Sequence, residues 1–305
     1  MRRSPALRLP FALWAIAMIT TTAACSGEAP PVSDAAVRDS THRVIAVTGF
    51  DGPEAVRYDS IGDSWFVANF AGEAEGDANG FISRVTAEGV IDSLRFMTGT
   101  TAAPLHGPRG MYLQGDTLWV ADALGVHGFH RTTGRQVAFH DFSAHGPGFL
   151  NDVAAGADGT LYITDTGASR IYRVAQGIIT VAVDADNGLG ALNGITRDGT
   201  TGRFLVAGWG AEGKVRSWDP ASGEITDVGT ATTGRFDGVE VVGGRVIVAS
   251  QADSSLHAIE GGLERVVIRT PGAPADIGVD TRRGRVAVPY IALDRIDIWD
   301  LPPAR

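Results

Sequence analysis

The stretch FLNDVAAGADGTLYITDTGASRIYRVA, residues 149–175, decides how the whole chain reads. Leu150-Asn-Asp-Val153 leads into one strand-like run and Leu161-Tyr-Ile-Thr-Asp165 is a second, and Asp158-Gly159 stands between them. An Asp-Gly pair so flanked marks a hairpin, because the turn needs positive φ and Gly supplies it without steric cost. Arg170-Ile-Tyr-Arg-Val174 then alternates polar and apolar, which is the period-two signature of a third strand.

The same unit returns along the chain. It runs from Gly52-Pro-Glu-Ala-Val56 to Asn69, from Pro108-Arg-Gly-Met111 to Asp122, and from Leu192-Asn-Gly-Ile195 to Gly208. It returns from Phe236-Asp-Gly-Val239 to Ser250 and from Pro274-Ala-Asp-Ile277 to Pro289. The residues just before each first strand are Glu54, Arg109, Asn151, Asn193, Asp237 and Ala275, spaced by 55, 42, 42, 44 and 38 residues. A period near 40–45 with several strands and no convincing helix is the signature of a β-propeller. The fold predicted is therefore all-β, with six blades over residues 42–305. His42 to Thr48 has no hairpin partner of its own and is expected to add the outer strand of the last blade, closing the ring. A seventh blade in the long first spacing is the alternative. Phe70 to Gly80, mostly acidic residues, Gly and Ala, reads better as a long loop.

Composition agrees. Of 305 residues 40 are Gly, about 13%, and only 20% are charged, which excludes a disordered chain and fits many tight turns. The net charge of -9 disfavours nucleic acid as a partner. Met1 to Cys25 reads as an export signal, with Arg2, Arg3 and Arg8 before an apolar run from Phe11 to Ile19 that is too short to span a bilayer. Cys25, the one Cys of the chain, stands where the small residues Ala23 and Ala24 end. That is the place of the lipidated Cys in a bacterial lipoprotein; the other reading is an ordinary secretory signal with an incidental Cys. The expectation is an exported, periplasmic lipoprotein, held to the membrane only through Cys25, with Ser26 to Thr41 as a flexible tether. With a single Cys there is no intramolecular disulfide and no thiolate metal site.

In a propeller the first strand of each blade lines the central channel, so equivalent positions form a ring around the axis. Glu54, Asn151, Asn193 and Asp237 then converge. Two carboxylates and two amide oxygens suit one hard divalent cation, Ca²⁺ before Mn²⁺, Zn²⁺ or Mg²⁺. The competing explanation is that Asn and Asp form side-chain turns ahead of a strand, which leaves Glu54 unexplained.

These residues carry a resemblance. Phe149-Leu-Asn151-Asp152, Leu192-Asn193-Gly194-Ile195 and Phe236-Asp237-Gly238-Val239, with Glu54 ahead of them, resemble the metal and substrate motifs of the regucalcin/gluconolactonase family of six-bladed propellers. The resemblance covers the body from about residue 44 to 300. It implies metal-dependent hydrolysis of a small lactone or related ester. Asp237 would help activate a water, and Asn151 would contact substrate or a metal-bound water. Arg109, at the same level of the second blade, would meet a substrate oxygen or sit in a salt bridge.

His106 and His145 precede marker residues and are substrate-side candidates for a general base, or else cap their loops. Trp209, just past a second strand, either walls a pocket or packs between blades. His127, His130 and His140 fall around a third strand away from the ring and read as surface residues. Glu73, Glu75 and Asp77 lack the ligand run of a calcium loop. Serine-hydrolase, phosphate-loop and zinc-protease motifs do not occur. A different reading of the same fold is a non-catalytic propeller of the NHL type that binds a protein or glycan.

Overall fold

The computed structural model describes residues 42–72, 77–185, 189–210, 213–229 and 234–304. The leader, Cys25, the tether, Glu73 and Glu75 lie outside the described residues. Chain order begins with β1 (Arg43–Thr48). The first blade follows as β2 (Pro53–Asp59), β3 (Ser64–Asn69), β4 (Phe81–Thr86) and β5 (Ile91–Met97). The second is β6 (Met111–Gln114), β7 (Thr117–Asp122), β8 (Gly125–His130) and β9 (Gln136–Asp141). The third is β10 (Leu150–Ala155), β11 (Leu161–Asp165), β12 (Arg170–Ala175) and β13 (Ile178–Val183). The fourth is β14 (Leu192–Arg197), β15 (Phe204–Gly208), β16 (Val215–Trp218) and β17 (Ile225–Asp227). The fifth is β18 (Phe236–Val242), β19 (Arg245–Ser250), β20 (Ser255–Glu260) and β21 (Leu263–Arg269). The last is β22 (Gly278–Asp280), β23 (Arg285–Tyr290) and β24 (Arg295–Asp300).

Each blade is a four-stranded antiparallel sheet, and β1 supplies the fourth strand of the last one, beside β24. Val47 lies opposite Ile296 and Thr48 opposite Arg295, so the first and last strands of the propeller are stitched into one sheet. The long loop of the first blade joins β3 to β4, and no seventh sheet occurs among the described residues. Asp158-Gly159 makes the β10–β11 turn with Gly159 at φ +85°, as its sequence requires.

The core lies between blades. Phe66, Ile82 and Ala55 of the first blade pack on Met111, Leu118 and Phe129 of the second, all fully buried. Each such Phe or Leu contributes roughly 1.5–3 kcal/mol on burial. Similar clusters fill the other junctions, including Val47, Val56 and Trp65 against Ala287 and Ile298 where the ring closes.

One sequence expectation is corrected here. His127 is fully buried instead of lying on the surface. Its Nε2 lies 3.3 Å from Asp122 Oδ2 and its Nδ1 2.8 Å from Gln136 Nε2, so both ring nitrogens meet polar groups inside the blade. Period-two alternation could not reveal this, because every residue of β8 before His130 is buried. His130 and His140 are half-buried, His140 stacked 5.5 Å from the Trp119 ring.

Candidate functional site

The four innermost strands that carry Glu54, Asn151, Asn193 and Asp237 share one local irregularity. Pairing with the second strand breaks between Pro53 and Ala55, Leu150 and Val153, Leu192 and Ile195, and Phe236 and Val239. The four residues occupy these bulges, and a bulge re-aims a side chain that regular pairing would commit to a sheet face. All four are buried, at 3–4% exposure. Glu54 Oε2, Asn151 Oδ1, Asn193 Oδ1 and Asp237 Oδ1 are buried without a hydrogen-bond partner. Orphan oxygens of this kind are rare in folded proteins and costly to bury. Four such oxygens, at equivalent bulges of four innermost strands, form an acceptor set of a kind that fits a hard cation. No group of three His, Cys, Asp or Glu gathers as a metal cluster among the described residues; here two of the four are amides.

The residue after each ring member faces the neighbouring innermost strand at close range. A Cβ on Gly238 would collide with the backbone of Ile277 and Asp276, and one on Gly194 with the carbonyl of Asp237. The Gly of Asn193-Gly194 and Asp237-Gly238 therefore lets adjacent strands converge on the axis. Two blades carry Asp at this second level, Asp152 and Asp276. Asp152 Oδ1 accepts from Val153 N and Oδ2 from Ile195 N, both at 2.7 Å, which ties the third blade to the fourth. The Asp276 N–H donates to Glu54 O at 2.9 Å across the closure of the ring.

Electrostatics concentrate on this column. Burial, and then the neighbouring Asp237 charge, push the Glu54 carboxyl well above its usual range, with Arg109 pulling the other way. Burial pushes Asp237 up to about 7 although Gln251 Nε2 donates to its Oδ2 at 2.7 Å. Asp152 is likewise pushed up to about 7 by burial, against Arg57 and its two backbone donors. Asp276 is raised by burial and by Asp152. A divalent cation would relieve this accumulation of buried carboxylates.

Arg109 is fully buried. Its Nη1 donates to Leu150 O at 3.0 Å and its guanidinium lies 3.8 Å from the centroid of the half-buried Phe149 ring. None of the remaining candidates hydrogen-bonds to the four oxygens. His106 braces two loops, its Nδ1 accepting from Ala78 N at 3.1 Å while its own N–H donates to the Asp122 carboxylate. His145 is exposed at the end of a short 3₁₀ turn, near Phe142 and Tyr172. Trp209 is half-buried, and its N–H donates to Ala191 O, two residues before Asn193. Asp152, Asp276, Arg57 and Gln251 were not singled out in the sequence. Asp152 and Asp276 each fall one residue past a marker position, a signal that was present in the repeat; Gln251 carries none.

No protein-family model matches the chain, and no curated protein matches it. In fold it is similar to an X-ray structure of a candidate gluconolactonase, with a TM-score of 0.63 and 16% identity over 83% of this chain and 91% of the other. It is also similar to virginiamycin B lyase of Staphylococcus aureus, solved as a catalytically inactive variant with quinupristin, with a TM-score of 0.59 and 16% identity over 85% and 98%. A chain of the nidogen–laminin complex gives a TM-score of 0.53 and 11% identity over 83% and 92%. At these identities the likeness is one of fold, and the six-bladed propeller expected from the repeat is the fold observed.

Proposed function

We propose that the chain is a divalent-cation-dependent hydrolase of a small lactone or related ester. One observation carries the reading: four buried oxygens, on Glu54, Asn151, Asn193 and Asp237, have no hydrogen-bond partner. Ca²⁺ is the favoured ion, and when bound it would polarise the substrate carbonyl and offset charge developing on its oxygen. Asp237, as a ligand of that ion, would help activate the attacking water. Asn151 orients substrate through its amide. Arg109 is buried beneath Phe149, and its charge offsets Glu54 through the channel wall. We further propose, from the leader alone, that the protein is exported and anchored by lipid on Cys25.

The test is bound metal per chain, by elemental analysis, in the parent and in Asp237→Ala, followed by a lactone and ester panel with and without chelator. One ion per chain, lost in the variant together with activity, supports the hydrolase. No ion in the parent after addition of Ca²⁺ or Mn²⁺ sinks it. The fold likeness to a lyase makes the product worth identifying, since elimination leaves a new double bond where hydrolysis leaves an alcohol. The likeness to a chain of the nidogen–laminin complex favours the other reading, a binding propeller. A partner retained after chelation and in Asp237→Ala would select it.

A further inference from the structure

Gln251 is the first residue beyond β19, and both its backbone and its side chain are fastened to the segment that leads into Asp237. Its N–H donates to Arg235 O at 3.1 Å. Arg235 holds a left-handed φ of +55°, which turns the chain immediately before Phe236. The Gln251 amide then donates from Nε2 to Asp237 Oδ2 at 2.7 Å. Asp237 Oδ1, the other oxygen, is buried without a hydrogen-bond partner.

A carboxylate can hold a hard cation through one oxygen or through both. With Oδ2 engaged by an amide donor, Asp237 presents Oδ1 alone. We infer that Gln251 is a positioning residue that fixes Asp237 as a one-oxygen ligand and so keeps a coordination position open for water or substrate. This rests on reading the four-oxygen ring as a cation site. An ion of the Ca²⁺ type takes six to eight oxygens. Four protein oxygens leave at least two positions; a second Asp237 oxygen would take one of them. The arrangement is a partner behind the ligand that sets its orientation, the kind of contact on which metal sites depend.

The experiment uses Tb³⁺ in place of Ca²⁺ on the full chain, because the luminescence lifetimes of Tb³⁺ in H₂O and D₂O count its bound waters. Gln251→Met removes the donor while keeping an unbranched side chain, and Gln251→Leu serves if the Met variant does not fold. Asp237→Ala is the control. The parent should bind one Tb³⁺ and Asp237→Ala should not. In the Gln251 variant the ion should remain bound but carry about one water fewer, as Asp237 closes on it with both oxygens. An unchanged or larger water count, with the ion still bound, overturns the role of Gln251 and leaves the cation site standing. Absence of Tb³⁺ from the parent, or its retention by Asp237→Ala, overturns the cation site itself and the inference with it.

Discussion

The Arg57 guanidinium and the Glu240 carboxylate meet across the sixth blade, beside the close approach of Gly278 to β2. Arg57 stands on β2 of the first blade and Glu240 on β18 of the fifth. A Cβ on Gly278 would strike the carbonyl of Val56 and crowd Arg57 Cα. Arg57 Nη2 also lies 3.8 Å from Asp276 Oδ2. Burial works to lower the Arg57 pKa, but Glu240, Asp276 and Asp152 more than offset it and hold the group charged. The innermost strands thus carry the buried carboxylates Glu54 and Asp237 and, further along, an ion pair, with Asp152 and Asp276 electrostatically linked to both.

Breaking that pair on one side removes the nearest partner of a part-buried guanidinium and leaves Asp276 at 3.8 Å. Glu240→Ala is expected to cost about 1–3 kcal/mol in urea unfolding. Arg57→Met combined with Glu240→Leu is expected to recover most of it, since apolar groups of similar volume replace a buried pair with little loss. A double-mutant cycle reads the coupling directly. Additive losses would mean that the two side chains do not depend on each other.

Without metal the ring gives the protein an unusual pH dependence. Asp152 and Asp237 are raised to about 7 in the folded chain, against about 3.9 when unfolded. The folded state therefore binds more protons than the unfolded state between those values, and stability falls as pH rises through that window. Glu54 and Asp276 shift the same way. Depressed carboxylates such as Asp122 act in the opposite sense, but below about pH 4. The half-buried His140, lowered by burial, opposes the trend with a single group. Urea unfolding with chelator at pH 5, 6 and 7 should give decreasing stability, and excess Ca²⁺ should flatten the series. Stability that stays level or climbs over this range without metal would contradict the burial of these carboxylates.

A second polar cluster has the connectivity of a hydrolytic triad without its accessibility. Ser255 Oγ lies 2.7 Å from His257 Nε2, and Glu264 Oε1 lies 2.5 Å from Nδ1. Ser255 and His257 are buried at 0% and 1% exposure, so no ester can reach them. His257 occupies the third position of β20 as His127 occupies the third position of β8, which identifies the cluster as a brace repeated in two blades. Ser255→Ala should lower stability by about 0.5–1.5 kcal/mol by removing the hydroxyl that donates to Asp253 Oδ1 at 2.6 Å, while Asp253 Oδ2 keeps its place 3.1 Å from His257 Nε2. An organophosphonate serine probe should leave the folded parent unlabelled. Stoichiometric labelling that disappears in Ser255→Ala would make this a nucleophile instead.

The blade count, the closing strand and the equivalent places of Glu54, Asn151, Asn193 and Asp237 on four innermost strands could be read from the sequence because all three follow from one repeat. Once the unit is recognised, equivalent positions share a level, and the hairpin chemistry of Asp158-Gly159 repeats wherever two strands meet. What the repeat does not encode is pairing between units. The meeting of Arg57 and Glu240 joins the first blade to the fifth, which no single unit contains. The contact of Gln251 with Asp237 depends on a turn at Arg235. His127 was misplaced for a related reason, since its partners Asp122 and Gln136 lie on two other strands and only the assembled blade brings them together.

Convergence on the axis can be tested apart from chemistry, by adding one methyl group at glycines that differ only in what surrounds them. At Gly238 the new Cβ would collide with the backbone of Ile277 and Asp276, which no rotamer change can relieve. Overpacking of this kind costs typically about 1–3 kcal/mol. It should also spread the fifth and sixth blades beside Asp237 and weaken any ion held there. At Gly199 the Cβ would meet nothing within 4 Å. There Ala should be neutral, or stabilising by roughly 0.4–1 kcal/mol through the unfolded chain. Measured side by side, Gly238→Ala should lower both Tm and Ca²⁺ affinity and Gly199→Ala neither. Equal behaviour of the two would mean that the innermost strands do not approach as closely as described, and that the four oxygens need not share one ion.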